Sequence, residues 1–355
     1  MMRLSFNKKL GCLIALTILV YSFPNQANAQ KFDKIQVIIK PQLNIEQSRR
    51  IRQIVRDIGG KRLASVTSGG NPDSVVMEPA GYSIVPTADL TVTETAAAWN
   101  VWLDGSAGYL ESTTPLRGYN GSQLSISLGA DTNVNEKLTI GAIINHAATD
   151  ITNSFVPGGS TTSAISLGPY MALFLTDTLV FTGSFLYTWT DNDAVSGPVT
   201  AAYGSESWAF NGSLTSYHQL DNWMLAPTVG VSFNEEYDEA YVDTGATTFG
   251  ASTTRTGSLA FGGSATYTYA LDNGMTIQPA LSVEGEWTFL RSVGASASSG
   301  VATDKGSGNF DVNITASSDF QLSNSVSLSL SSTVAGLAKP DYLSVIGGGR
   351  LSISF

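Results

Sequence analysis

The sequence predicts an all-β fold over residues 96–355, a twelve-stranded antiparallel transmembrane β-barrel, preceded by a short α/β or partly disordered N-terminal extension. Three observations carry this expectation. From Ala96 onward the text breaks into about twelve runs that alternate apolar and polar residues, the signature of strands whose side chains point to opposite faces. Most runs exceed the roughly 9–11 residues that a tilted strand needs to cross a bilayer, and exceed the usual ~5–6 of globular sheets. Their polar faces are mostly Ser, Thr, Gly, Asn and Asp, which suit a hydrated lumen better than a solvent surface rich in Lys and Glu.

The elements follow in order. Residues 1–29 carry Arg3, Lys8 and Lys9, the apolar run LGCLIALTILVYSF and then Ala27-Asn28-Ala29. This is the layout of a signal peptide cleaved after Ala29, with the mature chain starting at Gln30. Cys12 lies inside that segment, so the mature chain holds neither a disulfide framework nor a thiolate metal site. Residues 30–62 read as a strand-like KIQVIIK and a helix from Asn44, where Asn44 and Gln47 form a capping box. Ile45, Ile51, Val55 and Ile58 make its apolar stripe, and Gly59-Gly60 stops it. Arg49, Arg50, Arg52 and Arg56 decorate this helix. They are expected to form the solvated face of an amphipathic helix packed on the nearby strand; anionic lipid headgroups or the acidic lumen are the functional alternatives. Residues 63–95 form a Gly-, Ser- and Pro-rich linker. From Gly59 to Thr95 the chain can extend roughly 120 Å, enough to thread a barrel.

The twelve strands are expected near 97–110, 120–131, 137–150, 161–174, 178–190, 204–217, 222–235, 254–270, 274–291, 306–320, 324–337 and 342–355. In the ninth, Ile277, Leu281, Val283, Trp287 and Phe289 share one parity, and Gln278, Ser282, Glu284 and Glu286 the other. DTNVNE, LTDT, HQLDN, ALDNG and QLSN read as tight turns at one rim. NDAVSGPVTAA, YDEAYVDTGATTFGASTT and ASASSGVATDKG read as long loops at the other. Trp99, Tyr109, Tyr170, Trp189, Trp223, Tyr269, Trp287 and Tyr342 sit near strand ends, as an interfacial girdle requires. An unpaired edge in hydrocarbon would leave its N–H and C=O groups without partners, so the last strand must pair with the first.

Charge divides the chain. Cleavage removes Arg3, Lys8 and Lys9 and no acid, leaving 16 basic residues against 29 acidic ones. Residues 30–95 hold nine basic and seven acidic residues, residues 96–355 seven and 22. Such an excess of acid opposes nucleic-acid binding.

WNVWLDGSAGY at the first strand, YNGSQLSISLGADTNVNEKLTIGAIINHAATD after it, and the terminal GGGRLSISF together resemble the C-terminal translocator domain of monomeric autotransporters, the type V secretion family. The likeness covers about 96–355 and includes Trp99, Trp102, the LGAD strand, and Gly348, Arg350, Ser352 and Phe355. The resemblance implies a monomeric, porin-like twelve-stranded barrel in the outer membrane of a Gram-negative bacterium, in contact with the lipid bilayer and lipopolysaccharide. It further implies insertion by the barrel assembly machinery through a signal at Leu351, Ile353 and Phe355, and movement of an N-terminal passenger to the cell surface. Long loops would be extracellular, short turns and the C-terminus periplasmic. Two departures are plain: the extension is short and unrepetitive, and TADLTVTETAAAW, where the family places its pore-filling helix, is a poor helix sequence.

No catalytic constellation, cofactor site or metal site is expected. His146 and His218 fall at opposite rims, and no nucleophile elbow or phosphate loop is present. Glu235, Glu236, Asp238, Glu239 and Asp243 form an acidic loop that reads as solvated surface, with divalent-cation binding as the rival reading. Parity directs Asp104, Asp131, Glu206, Glu284, Glu286, Asp311 and Arg350 to the lumen, where Arg350 is expected to bridge one of these carboxylates, with a pore selective for cations as the functional rival. The expected function is a barrel that anchors and exports its N-terminal segment; a pore or structural barrel that exports nothing, and a surface hydrolase, are the alternatives.

Overall fold

The computed structural model describes residues 49–57, 99–114, 118–155, 157–271, 275–294, 310–323 and 325–355. Ala27, Ala29 and Gln30, and the linker at 63–95, lie outside the described residues. Twelve long strands carry the structure: β1 (Trp99–Ser112), β2 (Tyr119–Asn135), β3 (Leu138–Asn153), β4 (Gly158–Phe174), β5 (Leu179–Ser196), β6 (Val199–Ser216), β7 (Trp223–Asp238), β8 (Ser252–Tyr267), β9 (Thr276–Gly294), β10 (Phe310–Gln321), β11 (Val326–Ala335) and β12 (Tyr342–Ser354). Each is antiparallel to its neighbours in sequence, and β12 pairs β1 from Asn100↔Ser354 to Ser112↔Tyr342. The Phe355 amide adds a 2.9 Å bond to the Trp99 carbonyl. The ring therefore closes without a free edge, as hydrocarbon demands.

The faces are inverted relative to a water-soluble protein. Leu124, Ile126 and Leu128 of β2, Ile140 and Ile144 of β3, and Ile165 and Leu167 of β4 are exposed, whereas Ser127, Asn145 and Ser166 between them are buried. Each strand thus shows apolar side chains outward to lipid and hydroxyls and amides inward. Trp99, Tyr109, Trp189, Trp223, Tyr269 and Trp287 stand on the outer surface. Tyr170 and Tyr342 do not: both are buried, on the inward parity.

The twelve strands lie close to their expected positions, but the described loops differ in one place, and the expected long loop ASASSGVATDKG lies outside the described residues. NDAVSGPVTAA is not a long loop. β5 runs to Ser196, β6 starts at Val199, and a tight turn at Gly197, with φ 58°, joins them. A strand that projects past the apolar band is wet on both faces, so polarity there does not mark a loop. The long connection 239–251 carries a small hairpin, Tyr241–Val242 paired with Thr248–Phe249. It follows the top of β6, where the Glu239 amide donates to the Gly204 carbonyl and Tyr241 stacks between Tyr203 and Phe249.

Candidate functional site

The lumen is occupied. Helix α1, residues 49–57, belongs to the same compact unit as the barrel. Its apolar side chains Ile51, Ile54 and Val55 are 1–2% exposed and cluster with Trp102 of β1, Ile143 of β3, Tyr170 of β4, Leu186 of β5 and Ala209 of β6. Its arginines reach the opposite wall. Arg49 contacts Glu286 of β9 at 2.7 Å and Asp311 of β10 at 3.0 Å. Arg50 contacts Asp104 of β1 at 2.9 Å and donates to Ser331 of β11. Arg52 and Arg56 share Glu284 of β9, at 3.0 and 3.6 Å. A short helix that touches β1, β3 to β6 and β9 to β11 at once can only sit inside the ring.

The helix has a definite direction. At its first described turn, Arg49 and Arg52 face Ser232, Ser258 and Glu286, well inside their strands. At its last, Tyr217 in the turn after β6 donates to the Arg56 carbonyl at 3.3 Å, and Arg350 near the short-turn end of β12 donates to Asp57 at 3.1 Å. α1 therefore points its C-terminal end at the short-turn rim, the rim at which β1 also begins. Residues 58–98 connect two points on the same rim, and among the described residues it is α1 that fills the lumen. Arg350 also donates to the Ile54 carbonyl at 3.4 Å, placing a cation where the helix dipole is negative.

Two glycines make room for this arrangement. A Cβ on Gly348 would lie 2.4 Å from Arg50 Nη2, and one on Gly129 would lie 2.1 Å from Trp102 Cζ2. Trp102 Nε1 then donates to Tyr170 Oη at 2.9 Å, and Tyr170 donates to Asp131 Oδ2 at 2.6 Å, an oxygen that also accepts from Asn100. This chain of bonds fixes the apolar wall against which α1 rests. A cavity of about 100 Å³ remains beside the helix, lined by Gln53, Ser282, Thr315 and Ser317 together with Met224, Ala226 and Leu330.

The sequence-derived residues fall as follows. Asp104, Asp131, Glu286, Asp311 and Arg350 are buried on the inward parity, and Glu284 is largely so. Glu206 is not among them. It is exposed, opposite Trp189 on the outer face, and accepts from the Tyr187 hydroxyl at 2.6 Å, because Ser205, Ser207 and Ala209 hold the inward positions of β6. Arg350 bonds the helix at Asp57 rather than a strand carboxylate. The four arginines, expected to be a solvated face, are ion-paired within the lumen. Leu351, Ile353 and Phe355 are exposed on the outer parity. In the acidic loop, Glu235 pairs with Arg255, and Asp238 accepts from Ser205 and Ser252. Among the described residues no three His, Cys, Asp or Glu side chains gather where a metal could sit. His146 bonds Ser163 on the outside of the barrel, and His218 bonds Ser216 near the short turns.

Trp102, Tyr170 and Asn100 escaped the sequence reading of the lumen. The available signal was the charge asymmetry between the two regions, which matches a basic helix to an acidic wall.

Comparisons with known proteins agree with this architecture. A family model described as the autotransporter beta-domain matches residues 101–333. Outer membrane protein B of Rickettsia conorii is 25% identical over 209 residues, covering 53% of this chain but only 13% of the Rickettsia protein. The β domain of the Bordetella autotransporter BrkA superposes with a TM-score of 0.57 at 18% identity, covering 73% of this chain and 100% of that one. The transport unit of the autotransporter AIDA-I from Escherichia coli gives 0.57 at 13% identity, covering 76% and 93%. The chain is an integral outer-membrane β-barrel, and it belongs to the autotransporter β-domain family.

Proposed function

We propose that the barrel anchors the chain in the outer membrane and presents the segment preceding α1 at the cell surface. One observation carries this reading: α1 runs through the lumen with its C-terminal end at the short-turn rim, so its N-terminal end is directed toward the long-loop rim. The long-loop rim is then extracellular and the short-turn rim periplasmic. The outer surface meets the lipid bilayer and lipopolysaccharide, one copy suffices to enclose the helix, and Leu351, Ile353 and Phe355 present the last strand to the barrel assembly machinery. The lumen acts by binding, its carboxylates Asp104, Glu284, Glu286 and Asp311 being engaged with α1.

A cysteine at Lys40→Cys, in a mature chain otherwise without cysteine, tests the direction of exit. A membrane-impermeant maleimide should label it on intact cells. Labelling only after the outer membrane is permeabilised would overturn the reading.

A further inference from the structure

The amide of Asn313 is buried with nothing to bond. It stands between Asp311 and Thr315 on the inward side of β10 and is 5% exposed, and neither its Nδ2 nor its Oδ1 has a hydrogen-bond partner among the described residues. Turning the amide over changes nothing, because both ends are unpaired. Arg52, also 5% exposed, leaves its Nη1 unbonded while its Nη2 meets Glu284 at 3.0 Å. Both side chains line one cavity of about 50 Å³, together with Arg56, Glu284, Thr315 and Thr333. Buried donors without acceptors are destabilising, and native structures almost always supply them with a partner.

We propose that this cavity binds a chloride ion, which ties α1 at Arg52 to β10 at Asn313. The charges around it call for an anion. Among the described residues four cations, Arg49, Arg52, Arg56 and Lys339, share three carboxylates, Glu284, Glu286 and Asp311. Arg50 with Asp104 and Arg350 with Asp57 are matched one to one, so they supply no fourth carboxylate. One positive charge is left over beside the cavity. A monovalent anion completes the balance, whereas a phosphate dianion would reverse it next to Glu284. The guanidinium and amide N–H groups are donors of the kind an anion needs, and the Thr315 and Thr333 hydroxyls, 2.8 Å apart, stand beside them. A single water needs only ~10–15 Å³, so the ion fits together with a water that donates to Asn313 Oδ1. The inference does not rest on export: a barrel that presents no segment at the surface has the same cavity.

The test uses the full chain, folded in detergent, with chloride exchanged for gluconate at fixed ionic strength; gluconate is too large for the cavity. Chloride should raise the urea midpoint, read by gel mobility, by about 0.5 M and then saturate, because an ion held only by the folded state stabilises it. Crystals grown in sodium bromide should show an anomalous peak between Asn313 and Arg52. Asn313→Asp sets a carboxylate where the ion would sit and should abolish both signals. If that variant fails to fold, R56Q removes the surplus charge and should abolish them instead. Equal midpoints in chloride and gluconate would overturn the proposal, even with a bromide peak, since the ion would then bind at crystal concentration only. So would the absence of the peak, its survival in a folded N313D or R56Q, or a midpoint that phosphate raises as strongly as chloride. Cysteine labelling at position 40 reads the direction of exit separately, so the two readings fail independently.

Discussion

Arg50 and Asp104 meet side by side in the lumen, with Arg50 Nε 3.2 Å from Oδ1 and Nη2 3.0 and 2.9 Å from Oδ1 and Oδ2. Because both side chains are largely out of solvent, removing one strands the other. Asp104→Ala is expected to destabilise the folded barrel by about 3 kcal/mol, whereas the paired R50M/D104L is expected to cost much less, since a well-packed apolar pair replaces a desolvated ionic one. Urea titration followed by gel mobility measures both. Equal losses would mean that the pair itself, and not the orphaned charge, carries the effect.

Gly348 is required both by that arginine and by the backbone of the neighbouring strand. A Cβ there would sit 2.4 Å from Arg50 Nη2 and 2.9 Å from the Gly105 carbonyl, while one at Gly105 would meet nothing within 4 Å. Gly348→Val is therefore expected to displace Arg50 and weaken α1 docking by about 1–3 kcal/mol, with Gly105→Ala nearly neutral. Protection of α1 against added protease, compared across the two variants, separates them.

These two positions show what a sequence carries about such a fold. Strand number and order were legible because lipid on one side and water on the other impose a strict period of two; Leu124, Ile126 and Leu128 alternate with Ser125 and Ser127 without a break. The period gives no warning where parity is ambiguous. In β6 a run of Ser, Glu, Ser, Trp and Ala offers no clean apolar face, and its polarity points Glu206 inward although Ser205 and Ser207 occupy that side. The docking of α1 was hidden for another reason. Ile51, Ile54 and Val55 mark an amphipathic helix, but nothing local says whether its arginines meet water or carboxylates far along the chain.

The Trp102–Tyr170–Asp131 chain offers a finer probe. Tyr170→Phe keeps the ring but removes the hydroxyl that accepts from Trp102 and donates to Asp131. Both buried partners lose a bond, so a loss of about 1–3 kcal/mol is expected. Trp102 is 1% exposed, and a change in its emission would report the loosened wall. An unchanged stability together with unchanged emission would show that water replaces the hydroxyl without cost.

The two ends of the helix differ in burial, and burial ranks them. Asp57 faces Arg350 at 3.1 Å, but the Asp57 side chain is 39% exposed, against 3% for Asp104. Solvent screens the first pair, and Arg350 keeps the Ile54 carbonyl as a second acceptor when Asp57 is removed. Asp57→Ala is therefore expected to cost about 1 kcal/mol or less, a fraction of the loss at Asp104. Arg350→Ala should cost more than Asp57→Ala, because the last carbonyls of α1 then lose their cation as well as their ion pair. The order of urea midpoints, Asp57→Ala above Arg350→Ala and both above Asp104→Ala, is the expected result. If Asp57→Ala proves as damaging as Asp104→Ala, the short-turn end of the helix is held in a drier setting than its exposure implies.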